Sequence, residues 1–335
     1  MTRHVGEAGG DPAEAFLLTG VLAEIFMRDA GFNRGMGGSM HAFFTPFGAY
    51  PNNAIVGGSA GIAVGAALRA QLTRSNSICV ANLGDGSTGC GLIWESMNFA
   101  GMGQFRNLWQ PPFDRNPPVL FCFTNNFYAM GGQTRGETMA WDRLSRIGAG
   151  MSPAQLHAET VDGSNPLAVA DAVARKAEVL RAGEGPALLD IECYRYSGHS
   201  TTDTNAYRSR DEMKAWQAHD PITRFRDRLV DGGVIAAGEA DEMVEAAGVQ
   251  IEAVTRVVVN RQLAPAVDLE ASPTIIGDMT FNNEAIELVG RAGDLLAEPA
   301  ETGAVKSIMR KARSGIAEDG SQLSPMRAVT LRDAL

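Results

Sequence analysis

Residues 84–105 read GDGSTGCGLIWESMNFAGMGQF, two glycines flanking an aspartate followed by an amphipathic helical pattern. Immediately upstream, SICVANL (77–83) reads as a buried strand, so Asp85 stands on a tight turn at the mouth of a sheet. A second apolar run lies in VLFCFTNNFYAMGG (119–132), where a strand over 119–124 opens onto Asn125 and Asn126. A third strand is predicted over 187–194, and helical spacing falls over 96–105 and 166–182. Strands alternating with helices predict an α/β fold, a doubly wound, mostly parallel sheet with helices on both faces. Ser164 or Asn165 supplies the N-cap of the 166–182 helix, and Pro166 takes its first turn. The stretch 57–71, GGSAGIAVGAALRAQ, reads as a helix of small residues that lets another backbone approach closely.

Composition narrows the function. At 335 residues, 45% hydrophobic and with 38 glycines, the chain reads as a loop-rich globular protein. A formal charge of −10 argues against nucleic acid or an anionic membrane as the main partner. No apolar run approaches the roughly 20 residues that span a bilayer, and MTRHVGEAGG has no signal-peptide core. Cys79, Cys90, Cys122 and Cys193 have no metal-ligand spacing, so free thiols in a reducing cytoplasm are expected.

Each of the first two strand ends offers an oxygen ligand, the Asp85 carboxylate and the Asn126 amide. Carboxylate plus amide carbonyl suits magnesium or calcium, and magnesium completes its shell with phosphate oxygens and water. Gly86 lets the backbone approach such a phosphate, and the N-terminus of the following helix favours the anion. A metal-bound diphosphate then sits where strands emerge, at the binding edge of an open α/β sheet. Alone, either motif reads as an ordinary turn; their order, each behind a buried strand, gives them weight.

GDG followed by NN resembles the thiamin diphosphate motif. Its surroundings are similar to the alpha subunit of the decarboxylase component of 2-oxo acid dehydrogenase complexes (pyruvate, branched-chain and acetoin types). RGMGGSMHAF (34–43), AIVGGSAGIAVGAAL (54–68), YRYSGHSTTD (194–203) and DPITRFRDRLV (220–230) resemble further family segments in the family's order. The resemblance covers residues 1–265, a thiamin diphosphate-binding domain, leaving 266–335 as an extension or linker with one or two short helices.

The resemblance implies a site, residue by residue. Asp85, Asn126 and the main-chain carbonyl of Tyr128 ligate Mg2+. Gly84, Asp85, Gly86 and Ser87 form the diphosphate turn, with amides from Gly86 and Ser87. The main chain at Ala54 and Val56 meets the aminopyrimidine, and Val56 helps bend the cofactor. His199 lies near the diphosphate and the incoming lipoyl group, with a solvent-exposed loop histidine as its bland reading. Ser200 matches a serine phosphorylated in some animal relatives. His41 is read as ordering the glycine-rich turn. Arg3 takes the place of a diphosphate-gripping arginine, with Thr2 where the family has tyrosine. The implied activity is oxidative decarboxylation of a 2-oxo acid with acyl transfer to a lipoyl-bearing acyltransferase. The glutamate that activates the pyrimidine comes from a beta-type subunit in an α2β2 heterotetramer.

Three features depart from the family. Asp85 and Asn126 are 41 positions apart, a longer interval than usual, and the surplus falls within 104–118. Ser197 stands where relatives often carry histidine. At the C-terminus, SPMRAVTLRDAL (324–335) resembles the opening of the family's beta subunit, with Thr330, Arg332, Ala334 and Leu335 fitting its pattern. That suggests the alpha half of a fused or split enzyme with 266–323 as tether. Two other classes compete. A transketolase-like carboligase would not depend on a lipoyl acceptor, and a non-catalytic subunit would not bind thiamin diphosphate with magnesium.

Overall fold

The computed structural model describes residues 12–275 together with Glu301, Gly303 and Lys306. Arg3, Thr2 and the 324–335 segment lie outside the described residues, as does most of the tail after 275. The chain divides into two compact units, Met1–Val267 and Asp268–Leu335. In the second, Asp268 Oδ1 accepts from the amides of Glu270 and Ala271 to start a turn.

The first unit is built on a parallel sheet of β1 (Cys79–Gly84), β2 (Val119–Asn125), β3 (Glu159–Asp162) and β4 (Ala187–Glu192), in the order β1-β2-β4-β3. The register aligns Gly84 with Thr124, and Asn125 with Glu192, so the strand ends finish level. The connection from β1 to β2 runs one way across the sheet and that from β3 to β4 runs the other way. Right-handed crossovers therefore put their helices on opposite faces. Along β2, Val119, Phe121 and Phe123 face one core with β1, α2 (Gly58–Leu72) and α3 (Gly91–Gly101). Leu120 and Cys122 face the other with α6 (Pro166–Ala182). Because β2 is buried on both faces it reads as an unbroken apolar run.

Between these elements lie two one-turn helices, α4 (Gln104–Asn107) and α5 (Gly148–Met151). A separate cluster joins α1 (Pro12–Ile25) to α9 (Ala237–Val259), where Ala15 and Ala23 pack against Val254, Val257 and Val258. Arg28 Nε caps α9 by donating to Val258 O at 2.8 Å. Helices α7 (Arg210–Gln217) and α8 (Pro221–Asp231) precede α9.

Several expected boundaries move. The helix expected over 96–105 occupies Gly91–Gly101, because Cys90 already has N-cap geometry and Met102 turns extended. The third strand stops at Glu192 rather than 194, where the chain leaves the ladder for the next loop. Asn165, not Ser164, caps α6 by accepting from the Ala168 amide, while Ser164 donates to Asp162. The short strand β3, with one buried residue in four, carries too little pattern to be foreseen. All four cysteines are free, and among the described residues no helix is long and apolar enough to cross a membrane.

Asp190, fully buried on β4, ties the sheet to its loops. Its carboxyl accepts from Asn125 Nδ2 at 3.0 Å, the Leu144 amide at 2.8 Å and the Thr160 hydroxyl at 3.1 Å. Asp190→Ala strands these donors in the core, each lost partner worth about 1–3 kcal/mol. Chemical denaturation is expected to show a loss of at least ~3 kcal/mol; a loss below ~1 kcal/mol would contradict this role.

Candidate functional site

The ends of β1 and β2 meet at Asp85. A 3-10 turn (Asp85–Gly89) follows β1 directly and α3 begins only at Gly91, so the helix N-terminus stands further from Asp85 than the sequence suggests. Gly84 leads into this turn in extended conformation. Its geometry is fixed locally: Ser87 Oγ donates to Gly84 O, Thr88 Oγ1 to Asp85 O at 2.8 Å, and Trp94 Nε1 to Thr88 O at 3.0 Å. Trp94 in turn packs on Trp141.

Asp85 is 1% exposed. Burial raises its carboxyl above the ordinary carboxylate range, against the Thr134 hydroxyl and the main-chain amides of Asp85, Asn126 and Gly86, which act to lower it. Thr134 Oγ1 donates to Oδ2 at 2.6 Å. The carboxyl is thus hydrogen-bonded, and among the described residues no lysine or arginine offsets its burial.

Beyond β2 the chain turns back on itself. Phe127 has a φ of 68°, a left-handed conformation that is uncommon outside glycine and concentrates at functional sites. The turn lets Asn126 Oδ1 accept from the Tyr128 amide at 3.1 Å and Thr134 N donate to Phe127 O at 2.9 Å. The loop so formed packs on the GDG turn: a Cβ on Gly86 would lie 3.0 Å from Ala129 Cβ. Gly86 is required there by close approach, not by dihedral angle. Asp85, Gly86, Asn126 and Tyr128 are therefore brought together.

Cys193, past β4, completes the edge. Its amide donates to Asn125 O at 2.9 Å, and burial, with the nearby Asp85 charge, pushes its thiol up to about 11.

Ala54 and Val56 lie on the exposed turn before α2. Gly57, φ 82°, closes that turn against α3, where an added Cβ would lie 3.2 Å from Ile93 and 3.3 Å from Cys90. The segment therefore borders the GDG turn. Ala54 and His41 line one groove of about 780 Å³, and His41 Nδ1 pairs with Asn52 Oδ1 at 3.2 Å. The glycine-rich turn is held by a residue that periodicity did not single out: the buried carboxyl of Glu24 accepts amides from Asn33, Gly35 and Gly37.

His199 is exposed on a loop organised by two arginines. Arg195 donates from Nη1 to Tyr128 O at 3.4 Å, and from Nη2 to Ala129 O at 3.2 Å and Tyr207 Oη at 2.7 Å; Nη1 is also 3.4 Å from His199 Nδ1. One guanidinium therefore spans the Asn126 loop and the His199 loop. Buried Arg208 lies 5.2–5.6 Å from the ring centroids of Tyr128, Tyr194 and Tyr207, and bonds the carbonyls of Arg195 and Ser197. Tyr128 and Tyr194 both donate to Glu212 Oε1, at 2.7 and 3.0 Å. Asp203 accepts from Tyr207 Oη at 2.6 Å and the His199 amide at 2.7 Å, which hold its carboxyl at about 2. Thr134, Arg195, Arg208 and Glu212 were not foreseen. The run YRSRDE (207–212) hints at the last two, but Thr134 has no local signal.

Residues 14–266 match the family model described as the dehydrogenase E1 component. The chain is 33% identical over 238 residues to the pyruvate dehydrogenase E1 component subunit alpha type I, mitochondrial, of Ascaris suum, covering 70% of this chain and 55% of that protein. It is 32% identical over 263 residues to the mitochondrial pyruvate dehydrogenase E1 component subunit alpha of Dictyostelium discoideum, covering 78% and 63%. With the pyruvate dehydrogenase E1 component subunit alpha of Rickettsia bellii it is 33% identical over 239 residues, covering 71% and 66%. The chain thus spans 55–66% of the length of these relatives. The chain belongs to the dehydrogenase E1 component family, among its alpha subunits.

Proposed function

We propose that this chain is the alpha half of a thiamin diphosphate-dependent 2-oxo acid dehydrogenase that decarboxylates its substrate oxidatively and passes the acyl unit to a lipoyl acceptor. The observation that carries this reading is the contact between the turns beyond β1 and β2: the Asn126 main-chain N–H acts on the Asp85 carboxyl, and Asn126 Oδ1 accepts from the Tyr128 amide. The donor set fits magnesium: all oxygen, with one charge, and with coordination left for phosphate and water. Asn126 Oδ1 and Tyr128 O each accept a long contact, 3.1 and 3.4 Å, and a carbonyl oxygen has a second lone pair to offer. A cation here would also relieve the desolvation of Asp85.

Asp85, Asn126 and Tyr128 O would hold the ion, and the amides of Gly86 and Ser87 would meet the diphosphate. Arg3 is assigned to the same diphosphate, and the main chain of Ala54 and Val56 to the pyrimidine. When bound, the thiazolium ring supplies the electron sink for loss of carbon dioxide. His199 faces solvent, where a lipoyl group arrives, and Arg195 fixes its distance from the Asn126 loop. The same proposal includes a beta-type partner that brings the activating glutamate, an α2β2 assembly and a cytoplasmic setting. Ile55, Val56 and Met130, exposed at 69%, 61% and 79% beside the site, support a partner that covers it.

Asp85→Ala, assembled with its partner, is expected to lose thiamin diphosphate binding in calorimetry with magnesium, and Asn126→Ala to weaken it. Unchanged affinity in Asp85→Ala would refute the metal assignment. The purified chain alone is expected to show no 2-oxo acid decarboxylation, with activity appearing on addition of a beta-type subunit. Turnover with no beta-type protein detectable by mass spectrometry would refute the half-site.

The His199 loop carries a pH signature. Asp203 is held at about 2, below its ordinary 3.8, so its ordering contribution is fully present above that ordinary value and is lost as pH falls toward 2. Carboxyl NMR titration is expected to show Asp203 ionised at pH 3; a midpoint near 4 would contradict the Tyr207 and His199 contacts.

A further inference from the structure

The opposite end of the sheet, where β1 and β2 begin, carries a second polar cavity of about 220 Å³. Arg74, Arg115 and Arg181 line it together with Ser75 and Ser77, and no aspartate or glutamate does. Among the described residues, none of the three guanidiniums is in an ion pair. In a chain of net charge −10 this is a concentration of unopposed positive charge. Arg74 has a φ of 54°, which a glycine would adopt without strain.

Gln71, 3% exposed, braces the cavity wall, donating from Nε2 to the carbonyls of Phe113 and Arg115 and so fixing where Arg115 leaves the chain. Arg115 lies in the connection between α3 and β2, and its Cβ packs on Gly183 at the end of α6. That connection therefore supplies one of the three charges.

We propose that this cavity binds a small phosphate ester, the three guanidiniums taking the phosphate. Guanidinium forks match phosphate oxygens two at a time, and the volume suits a compound of a few carbons. The site is remote from Asp85, so it stands or falls independently of the proposed decarboxylation.

Glycerol 3-phosphate serves as the probe, titrated calorimetrically into the full chain, into Asp85→Ala and into the double variant Arg115→Gln, Arg181→Gln. Saturable binding is expected in the first two, weakened at least ~10-fold in the double variant, as loss of charge-assisted contacts implies. The wild-type melting temperature should rise with probe concentration. The two single variants carry the same test, each with a smaller loss, should the double variant fail to fold. Absence of saturable heat, equal affinity in the arginine variants, or binding lost in Asp85→Ala would overturn the proposal.

Discussion

A carboxyl group buried to 1% exposure, with neither a lysine nor an arginine among the groups that act on it, is the constraint around which this structure is arranged. Desolvation of Asp85 would be prohibitive for an isolated ion, and the protein answers with hydrogen bonds rather than with a lysine or arginine. Thr134 reaches back from the loop after β2, and the main-chain amides of Gly86 and Asn126 face the same group. Those contacts need the ends of β1 and β2 to be level, which the register from Cys79 opposite Val119 to Gly84 opposite Thr124 secures. They also need the left-handed turn at Phe127. The strain there and the burial of Asp85 are two sides of one arrangement, because each draws the loop after β2 onto the turn after β1.

The second level of organisation is the arginine pair behind the His199 loop. Arg195 spans two loops with one guanidinium, and Arg208 sits among three tyrosines and holds the Arg195 and Ser197 carbonyls. The loop's order rests on these charge-assisted bonds together with an aromatic cluster in which Tyr194 stacks on Trp216. Glu212 on α7 closes the arrangement by accepting from Tyr128 and Tyr194 together. Motion of the His199 loop is therefore mechanically joined to the loop that presents Tyr128.

Strand-forming runs made the sheet legible in the amino-acid sequence, since β2 is apolar on both faces and the runs into Asp85 and Asn126 end at turn residues. The expected grouping of Gly84, Asp85, Gly86, Ser87, Asn126 and Tyr128 rested on order and resemblance, and the fold places them at adjoining strand ends. Less was legible where contacts are long-range. Thr134, Glu24 and Asp190 are ordinary polar residues in sequence, and only the fold reveals that each sits among otherwise unpaired groups. The 96–105 helix was displaced because its pattern runs on through Gly101, where the chain in fact leaves the helix. Arg3 and the 324–335 pattern lie outside the described residues.

The surface around the site shows why half of an active centre is a sensible physical object. A diphosphate and a divalent cation need strong, fixed dipoles, which buried strand ends supply, but the chemistry proposed here also needs water kept away. The apolar side chains at the rim, Ile55, Val56 and Met130, are mostly exposed, so this chain alone does not provide that exclusion. Large exposed apolar residues around a polar centre gain free energy when a second surface covers them, about 25 cal/mol for each Å² removed from water. Subunit association and site closure would then be one event, driven by the same rim. The polar floor is braced within this chain by the Thr134, Tyr128 and Arg195 hydrogen bonds. On this proposed division, affinity for the metal and diphosphate would reside mainly here, while protection from water would arrive with the partner.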